Sequence, residues 1–335
     1  MNQGNQKHLF VIDPIESLNL ALDSSLRMAF ELTQLGHEVA FCDVARLARR
    51  STGGALGGSV ARAFGSGYAL ASTASFPDGP TKPRIQPPRA RELGEFAAIH
   101  MRKDPPYDLD YVAATWLLDG APASTRIYNA PHALRSFNEK LAIFMYPDEC
   151  RSALVSADPE ELLTFIVETV GGDAILKPLL LFGGRGVRRL RIGDDSRESL
   201  LQKLNAETVG GRSPRLVQAF DPEIANGEVR AFALGGKALA WCLKKPAPGE
   251  FLANTRAGAT LHPYEPGPKV LARVERVAGD LAAKGAPVVG FDLIGGWISE
   301  INLTSPRLLQ APGDNTNYYQ RFAEWMSRDV TKDLK

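Results

Sequence analysis

One stretch restricts the possible folds more than any other: Gly290-Phe-Asp-Leu-Ile-Gly-Gly-Trp-Ile-Ser-Glu-Ile-Asn-Leu-Thr-Ser-Pro306. It reads as a strand, a Gly295-Gly296 turn and a second strand. Val288, Val289, Phe291, Leu293, Ile298, Ile301 and Leu303 are apolar, so the hairpin is expected inside the protein. Carboxylates in such a place need partners or a metal, because an unpaired buried charge costs too much. Glu300 and Asn302 lie two positions apart and share a strand face. Asp292 joins them in only one register. A two-residue Gly295-Gly296 loop pairs Asp292 with Ser299, whereas a three-residue loop from Gly295 to Trp297 with a bulge pairs it with Glu300. We expect the longer loop, which makes an all-oxygen face of Asp292, Glu300 and Asn302. Such a face suits Mg²⁺; the same residues also fit a hairpin that carries ordinary polar groups.

The chain has 335 residues, more than one typical domain, so two or three domains are expected. With 44% hydrophobic and 23% charged residues it has the make-up of a soluble globular protein. Its 39 basic and 38 acidic residues leave a formal charge of +1, which argues against nucleic acid or an acidic membrane surface as partner. Cys42, Cys150 and Cys242 show neither a metal spacing nor a disulfide framework, and point to a reducing compartment. No apolar run approaches the ~18 residues of a membrane span, and the N-terminus is not signal-like. A cytoplasmic location is therefore the default expectation.

From the N-terminus, residues 8–12 read as a buried strand, Asp23-Ser24-Ser25 as a helix cap, Leu26 to Leu35 as a helix, and His37 to Cys42 as a second strand. This order implies a parallel α/β domain. Asp13 follows the first strand, where open α/β sheets bind ligands, and is equally a turn residue before Pro14. Residues 51–90 are rich in Gly, Ala, Ser and Pro; we expect a long loop or insertion with one short strand around Tyr68–Leu70. Phe96 to Met101 is a strand, followed by Arg102-Lys103, which suit either an anionic ligand or a solvated loop. Tyr111 to Leu118 reads as helix, Arg126 to Asn129 as strand, and Asn138-Glu139-Lys140 as the start of a helix running to Phe144 or Met145.

Ala174 to Pro178 is a strand carrying Lys177, followed by the glycine loop Leu181-Phe-Gly-Gly-Arg-Gly-Val187 and a further strand to Ile192. Backbone N–H groups in such a loop can reach phosphate oxygens, although it lacks the Gly-Lys-Ser/Thr of a P-loop; a plain hairpin turn is the competing reading. A helix follows at Ser199 to Asn205, and Arg215 to Phe220 is a strand. Glu228 to Leu234 and Lys237 to Leu243 form a hairpin, on which Glu228 and Arg230 share a face or make a simple surface ion pair. Residues 246–265 read as a Pro/Gly-rich loop, Pro268 to Lys284 as a helix ended by Gly285, and Tyr318 to Val330 as a last amphipathic helix.

In this order the segments resemble the ATP-grasp ligases, and within them the bacterial glutathione synthetases. The resemblance is carried by Asp13-Pro-Ile with Asp23-Ser-Ser, Met101-Arg-Lys-Asp-Pro-Pro-Tyr-Asp108, Asn138-Glu-Lys-Leu141, Ile175-Leu-Lys-Pro178, Gly183-Gly-Arg-Gly186, Glu228-Val-Arg230, Gly290-Phe-Asp-Leu-Ile-Gly295 and Glu300-Ile-Asn-Leu-Thr-Ser-Pro306. It spans most of residues 10–306; the 101–106 and 300–306 segments are the most specific. It implies the ATP-grasp fold, an α/β architecture with an N-terminal parallel α/β substrate-binding domain (1–130), a lid (131–213) and a C-terminal antiparallel α+β catalytic unit (214–335).

The resemblance also implies roles. Lys140 and Lys177 would contact ATP phosphates under a cover formed by Gly183, Gly184, Arg185, Gly186 and Val187. Gln218, Ala219 and Phe220 would receive adenine, with Glu228 near the ribose. Asp292, Glu300 and Asn302 would hold two Mg²⁺ ions, with Mn²⁺ as the alternative metal. Arg230 would act on the reacting carboxylate beside Thr304 and Ser305, and Asp13, Ser25, Arg102 and Asn254 would help hold substrate. The implied reaction joins γ-glutamylcysteine to glycine through an acyl phosphate, with ATP as co-substrate and a homo-oligomer as the expected assembly. The loops at 250–260 and 307–317 depart from the family pattern: an expected Arg-Gly-Asn reads Leu252-Ala-Asn254, and Arg256 is displaced. Another carboxylate–amine ligase, or a non-catalytic nucleotide-binding protein, are the competing functions. Replacing Asp292 or Glu300 by alanine is expected to abolish turnover without unfolding the protein.

Overall fold

A computed structural model describes residues 5–51, 66–194, 196–255 and 258–330. The first sheet uses β1 (Lys7–Val11), β2 (Glu38–Cys42), β3 (Leu47–Arg50), β4 (Ser66–Ser75), β5 (Arg84–Ile85), β6 (Arg89–Glu92), β7 (Ala98–Met101) and β8 (Arg126–Tyr128) in the order β3-β4-β2-β1-β7-β8, with β5 and β6 against β4. β1 runs parallel to β2 and β7, and β7 parallel to β8, as the sequence implies. Helix α1 (Ser24–Gln34) starts at Asp23, whose Oδ1 accepts a 2.8 Å hydrogen bond from Leu26 N. Two further helices, α2 (Leu109–Leu118) and α3 (Pro131–Ser136), complete this part.

The expectation for residues 51–90 needs correction. Residues 66–75 form a ten-residue strand that pairs antiparallel with β2, β3, β5 and β6. Residues 52–65 lie outside the described residues. The expected strand around Tyr68–Leu70 lies within it, but its full length was hidden because its inward positions, Gly67, Ala69 and Ala71, are too small to mark a hydrophobic alternation. Their size is required: a Cβ on Gly67 would lie 2.7 Å from Leu93 Cδ1 and 3.1 Å from Gly120 C.

The second sheet has β9 (Ala153–Ser156), β10 (Asp173–Pro178), β11 (Arg188–Arg191) and β12 (Arg215–Ala219) in the order β11-β10-β12-β9, every pair antiparallel. Helices α4 (Pro159–Thr164) and α5 (Arg197–Glu207) cover it, with Leu162, Leu163, Leu200 and Leu204 packed on Leu176, Leu190 and Val217. β12 was expected at the head of a C-terminal unit starting at 214; its hydrogen bonds put it in this sheet.

The third sheet has β13 (Glu228–Leu234), β14 (Lys237–Lys245), β15 (Thr260–His262), β16 (Val288–Ile294) and β17 (Trp297–Asn302) in the order β15-β14-β13-β16-β17. The short β15 lies inside what read as loop. Helix α6 (Pro268–Ala283) buries Val274, Val277, Ala278 and Leu281 on this sheet. Residues 138–145 are not the expected helix. Asn138 Oδ1 accepts from Lys140 N (2.9 Å) and Leu141 N (3.3 Å), which turns the chain before a 3₁₀ turn at Ala142–Met145.

Helix α7 (Tyr318–Asp329) joins the first and third sheets: Phe322 and Met326 share a core with Leu26, Leu32, Phe232 and Val288. No helix among the described residues is long and apolar enough to cross a membrane. Beside α7, His8 Nδ1 and His100 Nε2 lie 3.0 Å apart, both rings buried, while His37 Nε2 is 2.7 Å from Ser327 Oγ. Burial, with His37 nearby, lowers His8 to about 3, and burial also holds His100 well below the usual histidine range. The unfolded chain therefore binds more protons below its histidine pKa of about 6.5, and stability is lost as pH falls from there towards the folded values. At pH 5 the cost is roughly 2 kcal/mol for His8. The melting temperature should drop between pH 7 and pH 5, and less steeply in His100→Gln. An equal slope in that variant would rule out this origin.

Candidate active site

A cavity of about 290 Å³ opens between the second and third sheets. Ile175 and Lys177 come from β10, Leu181 to Arg185 and Val187 from the glycine loop, and Gln218 to Asp221 from the end of β12. Glu228, Arg230, Lys244, Asp292, Glu300 and Asn302 come from the third sheet, and Thr304 to Arg307 continue from β17. Glu139 and Lys140, Phe251 to Thr255 and the turn Asp104-Pro105 also line it.

The hairpin at 288–302 pairs Asp292 with Glu300, as expected, but by another route. The loop is the two-residue Gly295-Gly296, with Ile294 opposite Trp297 and Leu293 opposite Ile298; a bulge then carries the register past Ser299 to Glu300. Both turn glycines have positive φ, +56° and +80°. A second bulge, between Phe232 and Ala233, puts Glu228 opposite Lys244 instead of Leu243. Lys244 thereby enters the site, and the sequence reading missed it. Its signal was a lysine ending an apolar strand, invisible without that bulge.

These shifts assemble a buried ionic network. Lys244 Nζ donates to Asp292 Oδ1 at 2.7 Å and to Glu228 Oε1. Asn302 Nδ2 donates to Asp292 Oδ2 at 2.9 Å, and Arg230 NH1 lies 3.3 Å from the same oxygen. That contact is an ion pair without hydrogen-bond alignment, since Arg230 Nε and NH1 have no hydrogen-bond partner among the described residues. Burial raises Asp292, but Arg230 and Lys244 outweigh it and hold the carboxyl well below the usual range. Burial, aided by the Asp292 charge, pushes Glu228 up against the pull of Lys244. Burial lowers Lys244, and Asp292 and Glu228 more than reverse that.

Lys140 is buried. Its Nζ donates to Leu181 O at 2.6 Å and sits 3.4 Å from Glu300 Oε1, so it ties the glycine loop to the hairpin. Glu139 Oε1 accepts from Leu303 N (3.3 Å), Thr304 N (3.2 Å) and the Thr304 hydroxyl, which sets the turn after β17. In the glycine loop Gly183, Gly184 and Gly186 have φ of +64°, +76° and +70°, and a Cβ at Gly186 would come within 2.9 Å of Pro178 Cγ. Asn254 Nδ2 donates to Gly183 O, which holds the 251–255 loop against it. Arg256 lies outside the described residues.

Of the expected site residues, Asp13, Ser25, Arg102 and Gly186 do not line the cavity. The first three stand one layer behind it. Asp13 Oδ2 accepts from Asp104 N at 2.8 Å and its Oδ1 from Lys103 Nζ at 3.1 Å, so it sets the Asp104 turn. Arg102 donates to Ser25 Oγ and to Pro306 O, each at 3.1 Å, and fixes the strap after β17; its buried NH1 has no hydrogen-bond partner among the described residues.

Gly290 lies under that strap. A Cβ there would meet Pro306 Cβ at 2.8 Å and Arg230 NH1 at 2.9 Å. Gly290→Ala should therefore displace Arg230 and reduce kcat by about 10²-fold, the scale of a small misplacement in a reacting site. Steady-state kinetics check it, and a kcat within threefold of the parent would contradict it.

Among the described residues no three His, Cys, Asp or Glu side chains are disposed to hold a metal ion. Glu300 and Asn302 offer a carboxylate and an amide oxygen on the cavity side next to Asp292, and such oxygens suit a hard divalent cation.

Two family models match the chain: prokaryotic glutathione synthetase, N-terminal domain, over residues 7–135, and prokaryotic glutathione synthetase, ATP-grasp domain, over residues 139–312. A glutathione synthetase of Vibrio vulnificus is 33% identical over 307 residues, 90% of each chain. One from Ralstonia nicotianae is 31% identical over 312 residues, 92% of this chain and 91% of that one. Among solved structures, the ATP-grasp ligase PsnB, with a phosphomimetic precursor variant, Mg and ADP, superposes with TM-score 0.64 at 18% identity, covering 98% of this chain and 99% of that one. The D-cycloserine synthetase DcsG gives 0.62 at 13%, covering 96% and 99%. These likenesses show the ATP-grasp fold.

Proposed function

The chain belongs to the prokaryotic glutathione synthetase family and is an ATP-dependent ligase that forms amide bonds; from that premise we propose that it joins γ-glutamylcysteine to glycine. The observation that carries the reading is the convergence of Lys140, Lys177, Arg230, Glu300 and Asn302 with the glycine loop on one cavity.

A carboxylate oxygen of the acceptor attacks the γ-phosphorus of ATP, the bond to the β-phosphate oxygen breaks, and ADP departs. The amine then adds to the acyl carbon and loses a proton, and phosphate leaves. Such transfers need positioning and charge neutralisation more than covalent catalysis. Lys140 and Lys177 would bind the phosphates, and the loop of Gly183 to Val187 would close over them and keep water from the acyl phosphate. Gln218, Ala219 and Phe220 would take adenine through backbone groups, with Glu228 towards the ribose. Arg230 would orient the reacting carboxylate beside Thr304 and Ser305. Asp13, Ser25 and Arg102 would act by fixing the Asp104 turn and the Pro306 strap. A divalent ion, Mg²⁺ in this reading, would be held by Glu300 and Asn302 with Asp292 beside them; when bound, it supplies Lewis-acid neutralisation of phosphoryl oxygens.

We divide the chain into a substrate domain (1–130), a lid (131–220, extended past 213 because β12 is hydrogen-bonded into its sheet) and a catalytic unit to 335. The proposed nucleotide and thiol substrates suit a cytoplasmic location, and a homo-oligomer completes the proposal, to be checked by sedimentation.

A second reading, a ligase for another acceptor or amine, is favoured by one observation. The 251–255 loop presents Phe251, Leu252 and Ala253 to the cavity, an apolar wall beside the glycine loop. Phosphate release from ATP and Mg²⁺ with γ-glutamylcysteine, with and without glycine, separates the two. Release that needs both substrates supports the first reading. No release, from protein that binds ATP, transfers the proposal to another carboxylate.

A further inference from the structure

We propose that the Lys244 ammonium replaces one of two cations at the phosphate site, so that this enzyme works with a single divalent ion held by Glu300 and Asn302. The inference rests on the ATP-ligase reading above. Lys244 lines the cavity yet is only 8% exposed, and its Nζ contacts both Asp292 Oδ1 (2.7 Å) and Glu228. Asp292 Oδ2 is engaged as well, by Asn302 Nδ2 at 2.9 Å and Arg230 NH1 at 3.3 Å. Both oxygens of Asp292 thus already face protein donors, two of them full cations.

A metal ligand must turn a lone pair to the ion at about 2.1 Å. Each Asp292 oxygen keeps a second lone pair, so the obstacle is charge: an ion bound there would set a divalent charge in a buried space directly beside the Lys244 ammonium and the Arg230 guanidinium. Lys244 and Arg230 already bring two cations to Asp292 and Glu228, so this pocket calls for no further positive charge.

Glu300 is different. Its contact with a protein cation, Lys140 Nζ at 3.4 Å, is loose, and its side chain is 23% exposed at the cavity. Because a carboxylate only accepts, Asn302 must give Asp292 its amide nitrogen, which leaves its Oδ1 for another partner. Glu300 and Asn302 Oδ1 are thus the open oxygens. The backbone fixes this assignment, since the bulge at Phe232/Ala233 is what brings Lys244 opposite Glu228.

The test counts Mn²⁺ bound to the full chain saturated with a non-hydrolysable ATP analogue, by equilibrium dialysis and electron paramagnetic resonance. We expect one ion per nucleotide-loaded chain, and two in Lys244→Met, where Asp292 becomes available. Two ions in the unmodified protein, a measurement that needs no variant, would overturn the inference, and so would one ion in both proteins. Nucleotide binding that carries two ions removes this inference alone; no nucleotide binding removes the ATP-ligase reading with it.

Discussion

Replacing Glu300 by glutamine is expected to lower kcat about 10³-fold while leaving the thermal midpoint nearly unchanged. The amide keeps the shape of the side chain and removes its charge. Glu300 is partly exposed, with Lys140 Nζ at 3.4 Å. The stability loss is about 1 kcal/mol, because buried Lys140 keeps its hydrogen bond to Leu181 O and the glutamine amide oxygen can still accept from it. The catalytic loss is larger, because Glu300 is the open carboxylate of the site and the partner that aims Lys140. Lys140 in turn holds the carbonyl of Leu181, at the start of the glycine loop. On the proposed roles, one substitution would weaken metal binding, lysine placement and loop closure together. ADP formation and a calorimetric melt give the two readouts. A kcat within tenfold of the parent enzyme would sink the site as described.

Asp292→Ala should behave differently, although the sequence alone treats the two carboxylates alike. Asp292 is 6% exposed and compensates Lys244 and Arg230. Without it, two cations remain in a pocket where Glu228 alone opposes them, and Glu228 itself is raised by burial. Removing one partner of a buried ionic group costs about 3–5 kcal/mol. The variant should lose both activity and stability, the latter seen as an earlier transition in urea. The double variant Asp292→Asn with Lys244→Met should recover much of the stability, because the unpaired charge is gone, and none of the activity. An unchanged urea midpoint in Asp292→Ala would refute this account of the network.

Most elements were legible in the sequence because their cues are local. Asp23 before a 3.6-period apolar pattern gives α1, Gly285 after one gives the end of α6, and two glycines between alternating strands give each hairpin of the third sheet. The failures have physical causes too. β4 turns Gly67, Ala69 and Ala71 inward, so no large side chain marks its buried face, and only the part around Tyr68–Leu70 was legible. Asn138 diverts its neighbours' N–H groups to its own side chain, which helical periodicity does not register. β12 could be read as a strand but not assigned to a sheet, because pairing partners are set by distant segments, here β9 and β10.

The residue types of the site, its order along the chain and its family were determined by the sequence alone: the lysines, the glycine loop and the Asp292, Glu300 and Asn302 set stand in motifs whose spacing is itself the signal. Which of these groups meet, and with which partners, only the tertiary structure decided. Two β-bulges shift the register by one residue each, and since side chains alternate faces along a strand, a shift of one moves a group from one face to the other. One shift sets Glu300 beside Asp292; the other brings Lys244 to Glu228 and so supplies the cation that local sequence did not reveal. A bulge leaves no strong local mark because packing across the whole sheet selects it.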